Sequence, residues 1–397
     1  MYKPMRNIIL ADLAEVRASL LPLTYTRPIA DLQTGLLTTR LRWETLLPGH
    51  YSYLTVDYLD PIFPAEFSAD ADNIIIYGHV MPSPELVQAI ESLKPDTALT
   101  LPGDTDTIIA RRGLPGKQPE SFKELDFIPA TVTRPFHIFS RLADTIPADF
   151  ELVTKGMTSA PLHRSCTLIG DPSHLFIHPT AKVTGCTLNV TDGPIYIGPE
   201  AEVMEGATLR GPIAVNDHAH VNMGARIYGP TVLGSYCKVG GELNNVAMHP
   251  YSNKAHDGFL GNAVIGSWCN LGAGSTASNL KNDYSEIKLW DYPSRRFLRT
   301  GLQFCGLIMG DHSKAGINTM FNTATVVGVG VNIHGTGFPR NFVASFSDGS
   351  ATTGFRNVSL ESFFTIAERV RARRGHQLTD SDRQMFEAIR DIAESYK

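Results

Sequence analysis

Four polar residues crowd one short stretch of the chain, where Asn253, Lys254, His256 and Asp257 lie almost side by side. A histidine with a pKa near neutrality can take a proton from an amine or a hydroxyl group. A lysine can hold a phosphate as a point charge. The alternative is an ordinary polar loop, but the cluster stands just before a regular repeat resumes. We therefore predict that His256 is a general base and that Lys254 contacts a phosphate.

Small residues at 272–277 follow this cluster and leave room for a slender ligand. The side-chain amides of Asn270 and Asn279 stand on either side of that stretch and could contact the ligand. The same glycines would also suit the corners of a repeat, so both interpretations stay open. Residues 281–304 carry several cations that could clamp phosphates or simply face solvent. They are Lys281, Lys288, Arg295, Arg296 and Arg299.

A strict six-residue period must position these groups. Aliphatic residues recur at Ile197, Val203, Leu209, Val215, Val221, Ile227, Leu233 and Val239. Neither a helix nor a simple strand has this period, whereas a hexapeptide β-helix with coils of about 18 residues does. The period is interrupted at Leu243–Ala255 and at Asn279–Phe304. We interpret both interruptions as loops inserted on one face, where solenoids often carry function.

The N-terminal part alternates strand-like and helix-like segments. Asn7–Leu10 and Asn73–Tyr77 are short apolar runs typical of buried strands, and Gly35–Leu47 and Pro84–Leu93 have helical patterns. This alternation predicts an α/β sheet that is at least partly parallel. Pro102–Pro119 is predicted as a loop. The expected domains are residues 1–150 (α/β), 160–345 (β-helix) and 355–397 (C-terminal helices).

The composition narrows the classes of partner. The 397 residues have a net charge of −5 and no long basic run, which argues against nucleic acid and membrane partners. The five cysteines are scattered and odd in number, so a disulfide framework or a zinc site is not expected. The N-terminus lacks a signal-peptide pattern, so we expect a cytoplasmic protein.

Three motifs resemble those of a known family. KAHDGFLGNAVIGSWCNLGAGSTASNL is similar to a run in bifunctional GlmU, which joins an N-acetylglucosamine-1-phosphate uridylyltransferase to a glucosamine-1-phosphate acetyltransferase. LLPLTYTRPIADL near the start and MGDHSKAGINTMFNTATVVG near the end resemble divergent GlmU-like sugar nucleotidyltransferases. The resemblance covers both halves. It implies a reduced nucleotidyltransferase-like (Rossmann-like) α/β domain, a left-handed parallel β-helix of hexapeptide repeats, and C-terminal helices.

For the β-helix, the resemblance implies acetyl transfer from acetyl-CoA to an amino-sugar 1-phosphate. His256 falls on the general base of the family, although Lys254-Ala255-His256 is one residue shorter than the family's Lys-Ala-Gly-His. The resemblance further implies two binding sets. The sugar-phosphate set is Lys254, Asp257, Phe259 (in place of a tyrosine), Asn270, Arg226 and Tyr228. The acetyl-CoA set is Ala273, Ser275, Asn279 and Lys281.

For the N-terminal domain, the resemblance implies nucleotidyl transfer to a sugar 1-phosphate, of the UDP-N-acetylglucosamine or glucose-1-phosphate type, with Mg²⁺. The family's glycine-rich phosphate loop is missing here, and Arg17 and Arg27 are the candidate replacements. Gly78-His79 stands where the family has Gly-Asp, and Mg²⁺ prefers oxygen ligands. The metal ligands are therefore unknown, and we expect weak or no magnesium-dependent release of pyrophosphate.

The preferred hypothesis is a transferase that acts on sugar phosphates and nucleotides, with acetyl transfer in the β-helix. The alternatives are nucleotidyl transfer in the N-terminal domain and a non-catalytic trimer that binds sugar nucleotides. We expect a homotrimer, because solenoid acyltransferases of this type complete their sites between neighbouring chains. The alternative is a monomer whose wall is merely polar.

Overall fold

The computed structural model describes residues 6–67 and 73–397, which form two compact units. The first unit contains the described residues of 1–20, 26–32 and 37–134. The second contains residues 21–25, 33–36 and 135–397. The helix at Pro135–Thr154 thus belongs to the second unit, whereas the boundary expected from the sequence places residues 135–150 in the first.

The first unit is a mixed sheet with short helices. Its strands are β1 (Asn7–Ala11), β2 (His50–Leu54), β3 (Asn73–Tyr77), β4 (Thr97–Leu101), β5 (Asp104–Arg112) and β6 (Ser121–Glu124). Its α-helices are α1 (Ala14–Ser19), α2 (Thr39–Leu46) and α3 (Pro84–Glu91). Ser83 caps α3 as the sequence suggests, because its side chain accepts a hydrogen bond from the Leu86 amide.

The strand order of this sheet is β2-β1-β3-β5-β4-β6. Strand β1 pairs in parallel with both β2 and β3, and β5 is antiparallel to β3 and β4. The partly parallel α/β sheet is therefore confirmed. The prediction of a loop over Pro102–Pro119 is wrong, because β5 occupies much of it. The polar start of β5, Asp104–Thr107, is mostly exposed, which hides the strand from a search for apolar runs.

The second unit begins with the long helix α4 (Pro135–Thr154) and continues as a parallel β-solenoid. The solenoid has three walls. Wall A contains β7 (Thr167–Ile169), β10 (Thr187–Asn189), β13 (Thr208–Arg210), β16 (Arg226–Tyr228), the first part of β19 (Glu242–Met248) and of β21 (Phe259–Ile265), β23 (Thr276–Ala277) and β28 (Met320–Phe321). Wall B contains β8 (Leu175–Ile177), β11 (Ile195–Ile197), β14 (Ile213–Val215), β17 (Thr231–Leu233), the second part of β19 and of β21, β26 (Ile308–Met309), β29 (Val326–Val327) and β31 (Phe342–Val343).

Wall C is a separate sheet. It contains β9 (Lys182–Val183), β12 (Glu202–Val203), β15 (His220–Val221), β18 (Lys238–Val239), β20 (Asn253–Lys254), β22 (Asn270–Leu271), β27 (Lys314–Ala315), β30 (Asn332–Ile333) and β32 (Ser347–Ser350), with the antiparallel β33 (Gly354–Asn357) at its end. Aliphatic residues from all three walls fill one core, which confirms the six-residue period. The helices α5 (Leu360–Ala372) and α6 (Asp380–Glu394) follow the solenoid, as expected.

The two interruptions of the period have different causes. Between β23 and β26 the chain inserts a hairpin of β24 (Lys288–Asp291) and β25 (Arg296–Arg299), so the second interruption is an insertion as predicted. The first interruption is a shortened coil, and the prediction of an inserted loop is wrong. Only Gly240 and Gly241 connect β18 to β19, whereas residues 222–225 connect β15 to β16.

The outer faces of the solenoid are covered unevenly. Helix α4 packs against β17, β19 and β21, so the outward side chains Val232, Ala247 and Val264 of wall B are fully buried. Along the corner between walls B and C, aromatic rings stack from coil to coil, with centroids 4.1 Å apart for Tyr251 and Trp268. Among residues 6–67 and 73–397, no helix combines the length and the apolar character needed to cross a bilayer.

Candidate active sites

His256 lies on the corner that leads from wall C to wall A. Residues 255–258 form this corner between β20 and β21, and the imidazole is exposed. Within the described chain, no hydrogen bond to its ring is formed. The corner of the preceding coil is the short Gly240–Gly241 connection, so the surface beside His256 is recessed by two residues of backbone. A polar side chain at the edge of a recess can reach a ligand that enters it.

The coils on either side of the recess are tied together by Asn222. Its side-chain amide donates a hydrogen bond of 2.8 Å to the Ala255 carbonyl oxygen, across the position that the short corner leaves vacant. Sequence analysis missed Asn222. The only available signal is indirect, since a long polar side chain is needed wherever one coil is shorter than its neighbours.

Lys254 lies inside the solenoid. Its side chain takes the inward position of wall C, in register with Val239, and is 1% exposed. The ammonium donates hydrogen bonds to the carbonyl oxygens of Gly240 (3.1 Å) and His256 (2.7 Å). Burial lowers the pKa of Lys254 to about 8, although Asp257 acts in the opposite direction. The predicted phosphate contact is therefore not available to Lys254, which instead holds the backbone of the His256 corner.

The small residues predicted to bind acetyl-CoA form the next corner in the same column. The Gly274 amide donates to the Asp257 carbonyl, which stacks residues 272–275 on residues 255–258. Ala273 is half-buried at this corner. Ser275 is buried, and its hydroxyl donates to the Gly316 carbonyl at 3.2 Å, so this hydroxyl is not presented to a ligand.

Phe259 and Asn279 lie together on wall A, next to the His256 corner. Both approach the backbone of Gly261, where an added Cβ would meet the tip of the Phe259 ring at 2.6 Å and the Asn279 amide at 2.7 Å. The Asn279 amide also donates to the Asn262 side chain at 2.8 Å. An alanine in place of Gly261 would therefore require the Phe259 and Asn279 side chains to shift.

Arg226 and Tyr228 stand on wall A before the shortened coil. The Tyr228 hydroxyl donates to a Glu242 carboxylate oxygen at 2.7 Å, and Arg226 is 3.9 Å from the same carboxylate. Both are exposed at the surface. Glu242 is in register between Arg226 and Phe259, and sequence analysis missed it. A carboxylate beside the predicted sugar-phosphate residues is suited to accept hydrogen bonds from sugar hydroxyls.

Two predicted residues lie away from the His256 corner. Asn270 is exposed on wall C, on the flat outer face. Lys281 donates to the Ser285 hydroxyl at 3.3 Å and the Glu286 carbonyl at 3.0 Å, so it ties down its own insertion. The structure thus places His256, Asp257 and Ala273 on two neighbouring corners of one column, and Asn270 on a separate surface.

In the first unit, β1 has a parallel neighbour on each side, so the carboxyl ends of β1 and β3 mark the switch point where open α/β sheets bind ligands. Asp12 follows β1 at this edge. Its carboxylate accepts hydrogen bonds from Arg17 (2.8 Å), Thr55 (2.6 Å) and the Ile29 amide (2.9 Å). Burial raises the pKa of Asp12, against the lowering effect of Arg17.

The guanidinium of Arg17 forms several hydrogen bonds at this edge of the sheet. Besides Asp12, it donates to the Arg27 carbonyl oxygen, Thr55 and Tyr58, and it is 4% exposed. The expectation that Arg17 replaces the missing phosphate loop therefore does not fit this geometry. Arg27 is half-buried nearby, and its backbone serves as one of the acceptors of Arg17.

Gly78 and His79 follow β3 at the same edge. A Cβ on Gly78 would come within 3.4 Å of an Asp12 carboxylate oxygen, so the two strand ends are close. His79 is buried, and burial lowers its pKa to about 4, which keeps the imidazole neutral at physiological pH. Asp31 is half-buried and accepts a hydrogen bond from the Tyr53 hydroxyl.

Magnesium does not fit the side chains of this edge. Across residues 6–67 and 73–397, no three acidic, histidine or cysteine residues converge in a way that could hold a metal ion. The Asp12 carboxylate already accepts three hydrogen bonds, and His79 is a buried nitrogen ligand, whereas Mg²⁺ prefers oxygen. We therefore derive no step through a protein-bound metal.

Comparison with known protein families supports the transferase class for the N-terminal part of the chain. A family model described as sugar nucleotidyl transferase matches residues 8–158. This match confirms the transferase class predicted from the sequence. Among curated proteins no significant match is found.

Three of the solved structures that are similar to the chain are of acyltransferases with low sequence identity. Arabidopsis UDP-N-acetylglucosamine acyltransferase is 13% identical, with 51% of this chain and 75% of that chain covered and a TM-score of 0.25. AntD, an N-acyltransferase from Bacillus cereus, is 11% identical in its complex with dTDP and 3-hydroxybutyryl-CoA, with 52% and 91% covered and a TM-score of 0.21. A mutant of AntD in complex with dTDP and coenzyme A is 14% identical, with 49% and 83% covered and a TM-score of 0.21.

Proposed function

We propose that the solenoid transfers an acetyl group from acetyl-CoA to the amine of an amino-sugar 1-phosphate. The observation that carries this proposal is the exposed imidazole of His256 beside the recess made by the Gly240–Gly241 corner. The recess gives a sugar phosphate room to approach, and Arg226 on the adjacent wall supplies a positive charge.

The proposed reaction is a direct attack. His256 takes a proton from the amine as its nitrogen attacks the thioester carbon. The C–N bond then forms, the C–S bond breaks, and the departing thiolate takes up the proton from the imidazolium. Among the corner amides, those of Gly272, Gly274 and Ser275 donate within the solenoid. The Ala273 amide makes no such bond in the described chain, so we assign to it the stabilisation of the oxyanion.

The direct test is release of the CoA thiol with glucosamine 1-phosphate as acceptor. We expect thiol release that depends on the sugar phosphate and that is absent with N-acetylglucosamine 1-phosphate, whose amine is already blocked. Turnover at the same rate with the blocked sugar, or none with any amino-sugar phosphate, would contradict the proposal.

Nucleotidyl transfer by the first unit is the second candidate. It is supported by the family match over residues 8–158 and by the switch point beside β1. The assay is pyrophosphate release from UTP and N-acetylglucosamine 1-phosphate, with and without Mg²⁺. Release would make the protein bifunctional, whereas nucleotide binding without release would leave the first unit a binding domain.

We further propose that the protein forms a homotrimer. Support comes from the exposed apolar side chains Met223 and Ile317, each 71% exposed on the same column of corners as His256. Apolar side chains at such positions are commonly covered by a partner. Light scattering over a dilution series tests this, and a mass of one chain at all concentrations would contradict it.

A further inference from the structure

A ladder of polar side chains runs along the outer face of wall C, one from each coil and all in register. In chain order the members are Lys182, Glu202, His220, Lys238, Asn253, Asn270, Lys314, Asn332 and Asp348. Near both ends, carboxylates have partners of their own. Glu202 contacts His220 at 3.1 Å, and Asp348 contacts Asn332 at 2.7 Å and Arg356 at 3.0 Å.

The middle of the ladder is different, because it contains cations and amides without a carboxylate. Lys238, Asn253, Asn270 and Lys314 line a cavity of about 510 Å³ between wall C and the end of α5. The two residues that follow α5, Arg373 and Arg374, add two further cations to this lining. No acidic residue lines the cavity, and in residues 6–67 and 73–397 no carboxylate forms an ion pair with any of the four cations.

Two of the four cations, Arg374 and Lys314, are held in place by the backbone and by neutral groups. Arg374 donates to the Tyr236 carbonyl oxygen at 3.4 Å and to the Asn253 side chain at 3.3 Å. The Lys314 ammonium donates to the His312 carbonyl oxygen at 2.9 Å. These contacts orient the side chains without neutralising their charge, so the cavity keeps a positive potential.

The pKa values of two neighbouring side chains are lowered at this site. Burial first, and then the charge of Lys238, lower the pKa of His220, while Glu202 raises it. Burial also lowers the pKa of Lys314. The dipole of α5 favours cations near its C-terminus, which explains in part why Arg373 and Arg374 stand there. It does not explain the two lysines on wall C. Cations that are partly desolvated and have no counter-charge favour a bound anion.

We propose that this cavity binds a small molecule that carries a diphosphate group. Arginine and lysine together match phosphate oxygens, and an asparagine amide adds a neutral donor. Neighbouring coils lie about 4.8 Å apart, so Lys238 and Lys314 are separated by roughly 14 Å along the wall. That length accommodates an extended ligand with more than one phosphate. The site goes beyond the proposed acetyl transfer, which uses the His256 corner and none of these cations.

Isothermal titration calorimetry on the full chain tests the proposal, with pyrophosphate, ADP and CoA as probes. The informative variants are Lys238→Gln, Arg374→Gln and the double variant. Each removed cation should weaken pyrophosphate binding about tenfold, and the double variant should weaken it about a hundredfold. Lys182→Gln is the matched control, because Lys182 holds the same ladder position outside the cavity, and it should bind as the wild type does.

The three probes distinguish the sources of the diphosphate. Equal binding of all three probes shows that only the diphosphate is recognised. Tighter binding of ADP or CoA shows that a nucleotide is the ligand. Either result supports the site if the double variant no longer binds the probes. Absence of binding by every probe, or equal binding by the double variant, overturns it. Arg373→Gln keeps the test valid if Arg374→Gln unfolds, because Arg373 forms no side-chain hydrogen bond within the described chain. Calorimetry measures binding alone, so a failure of acetyl transfer would not affect this result.

Discussion

The ammonium of Lys254 donates a hydrogen bond of 2.7 Å to the carbonyl oxygen of His256 from inside the solenoid. The lysine takes the inward position that Val239 has in the preceding coil and Leu271 has in the following one. A cation in an aliphatic column is costly unless its protons are bound, and the carbonyls of Gly240 and His256 bind them. The shortened corner and the exposed histidine are thus fixed by one buried side chain.

Replacement of Lys254 by methionine should change how stability depends on pH. Burial lowers the pKa of Lys254 from 10.5 to about 8, so between these values the unfolded chain binds more protons than the folded one. The wild type therefore gains stability as the pH rises from about 8 to about 10.5, by roughly 3 kcal/mol. Lys254→Met lacks this gain. The free energy of unfolding of the variant minus that of the wild type should therefore be smaller at pH 10.5 than at pH 7.5 by that amount.

Denaturant unfolding of both proteins at several pH values measures the effect. The difference between them is the informative quantity, since cysteines and tyrosines that unfolding exposes also ionise at alkaline pH and contribute equally to both proteins. Lys182→Met, on the exposed face of wall C, serves as the control and should follow the wild type. A constant difference between Lys254→Met and the wild type from pH 7.5 to 10.5 would show that Lys254 is not destabilised by burial.

The architecture of the solenoid could be predicted because its period is a direct consequence of inward-facing side chains. Val203, Val221 and Val239 recur every coil since each must fill the same position in the stack. The length of a coil is less visible in the sequence. A coil that loses residues and a coil that gains a loop both interrupt the period, so the period alone does not distinguish the short Gly240–Gly241 corner from an insertion.

The candidate site was predictable in part. His256 and Ala273 share a corner column, which follows from the coil spacing once the solenoid is assumed. The burial of Lys254 was not predictable, because lysine is rarely placed inside a core and its sequence position suggested a surface loop. The hydrogen-bond partners of Arg17 could not be predicted either, because Thr55 and Tyr58 are distant in the sequence and meet Asp12 only at the edge of the sheet.

A second titration should appear at acid pH in the first unit. Burial lowers the pKa of His79 from 6.5 to about 4, so below pH 6.5 the unfolded chain takes up a proton that the folded chain does not. The wild type should lose roughly 3 kcal/mol as the pH falls from 6.5 to 4. His79→Phe should lose less over this range, by thermal or denaturant unfolding. His174→Phe, at an exposed position, should behave as the wild type, and an equal acid sensitivity of His79→Phe would refute a buried neutral imidazole.

Gly258, at the end of the His256 corner, should not tolerate a side chain. Its φ is +121°, and an added Cβ would overlap the Ser275 carbonyl oxygen of the next coil. Gly258→Ala should therefore destabilise the second unit by about 3 kcal/mol or more, through backbone strain and separation of the coils. Gly224 is the matched control on an earlier corner of the same column, with φ of +67° and open space around its Cβ position. Gly224→Ala should cost only about 1 kcal/mol, and similar losses of thermal midpoint for both variants would contradict the steric argument.

His256 itself gives the last prediction, because a base and a surface residue respond differently to replacement. If His256 takes the proton of the attacking amine, His256→Ala should lower kcat for acetyl transfer by roughly 10²–10⁴ while KM for acetyl-CoA changes little. The thermal midpoint should stay near that of the wild type, since the exposed ring forms no hydrogen bond in the described chain and the corner is held through its backbone by Lys254 and Asn222. His174→Ala, an exposed histidine elsewhere in the solenoid, should keep full activity. His256→Gln, which keeps a polar side chain but has no imidazole, should lose activity to a similar extent, and a variant that keeps the wild-type rate would exclude His256 as the base.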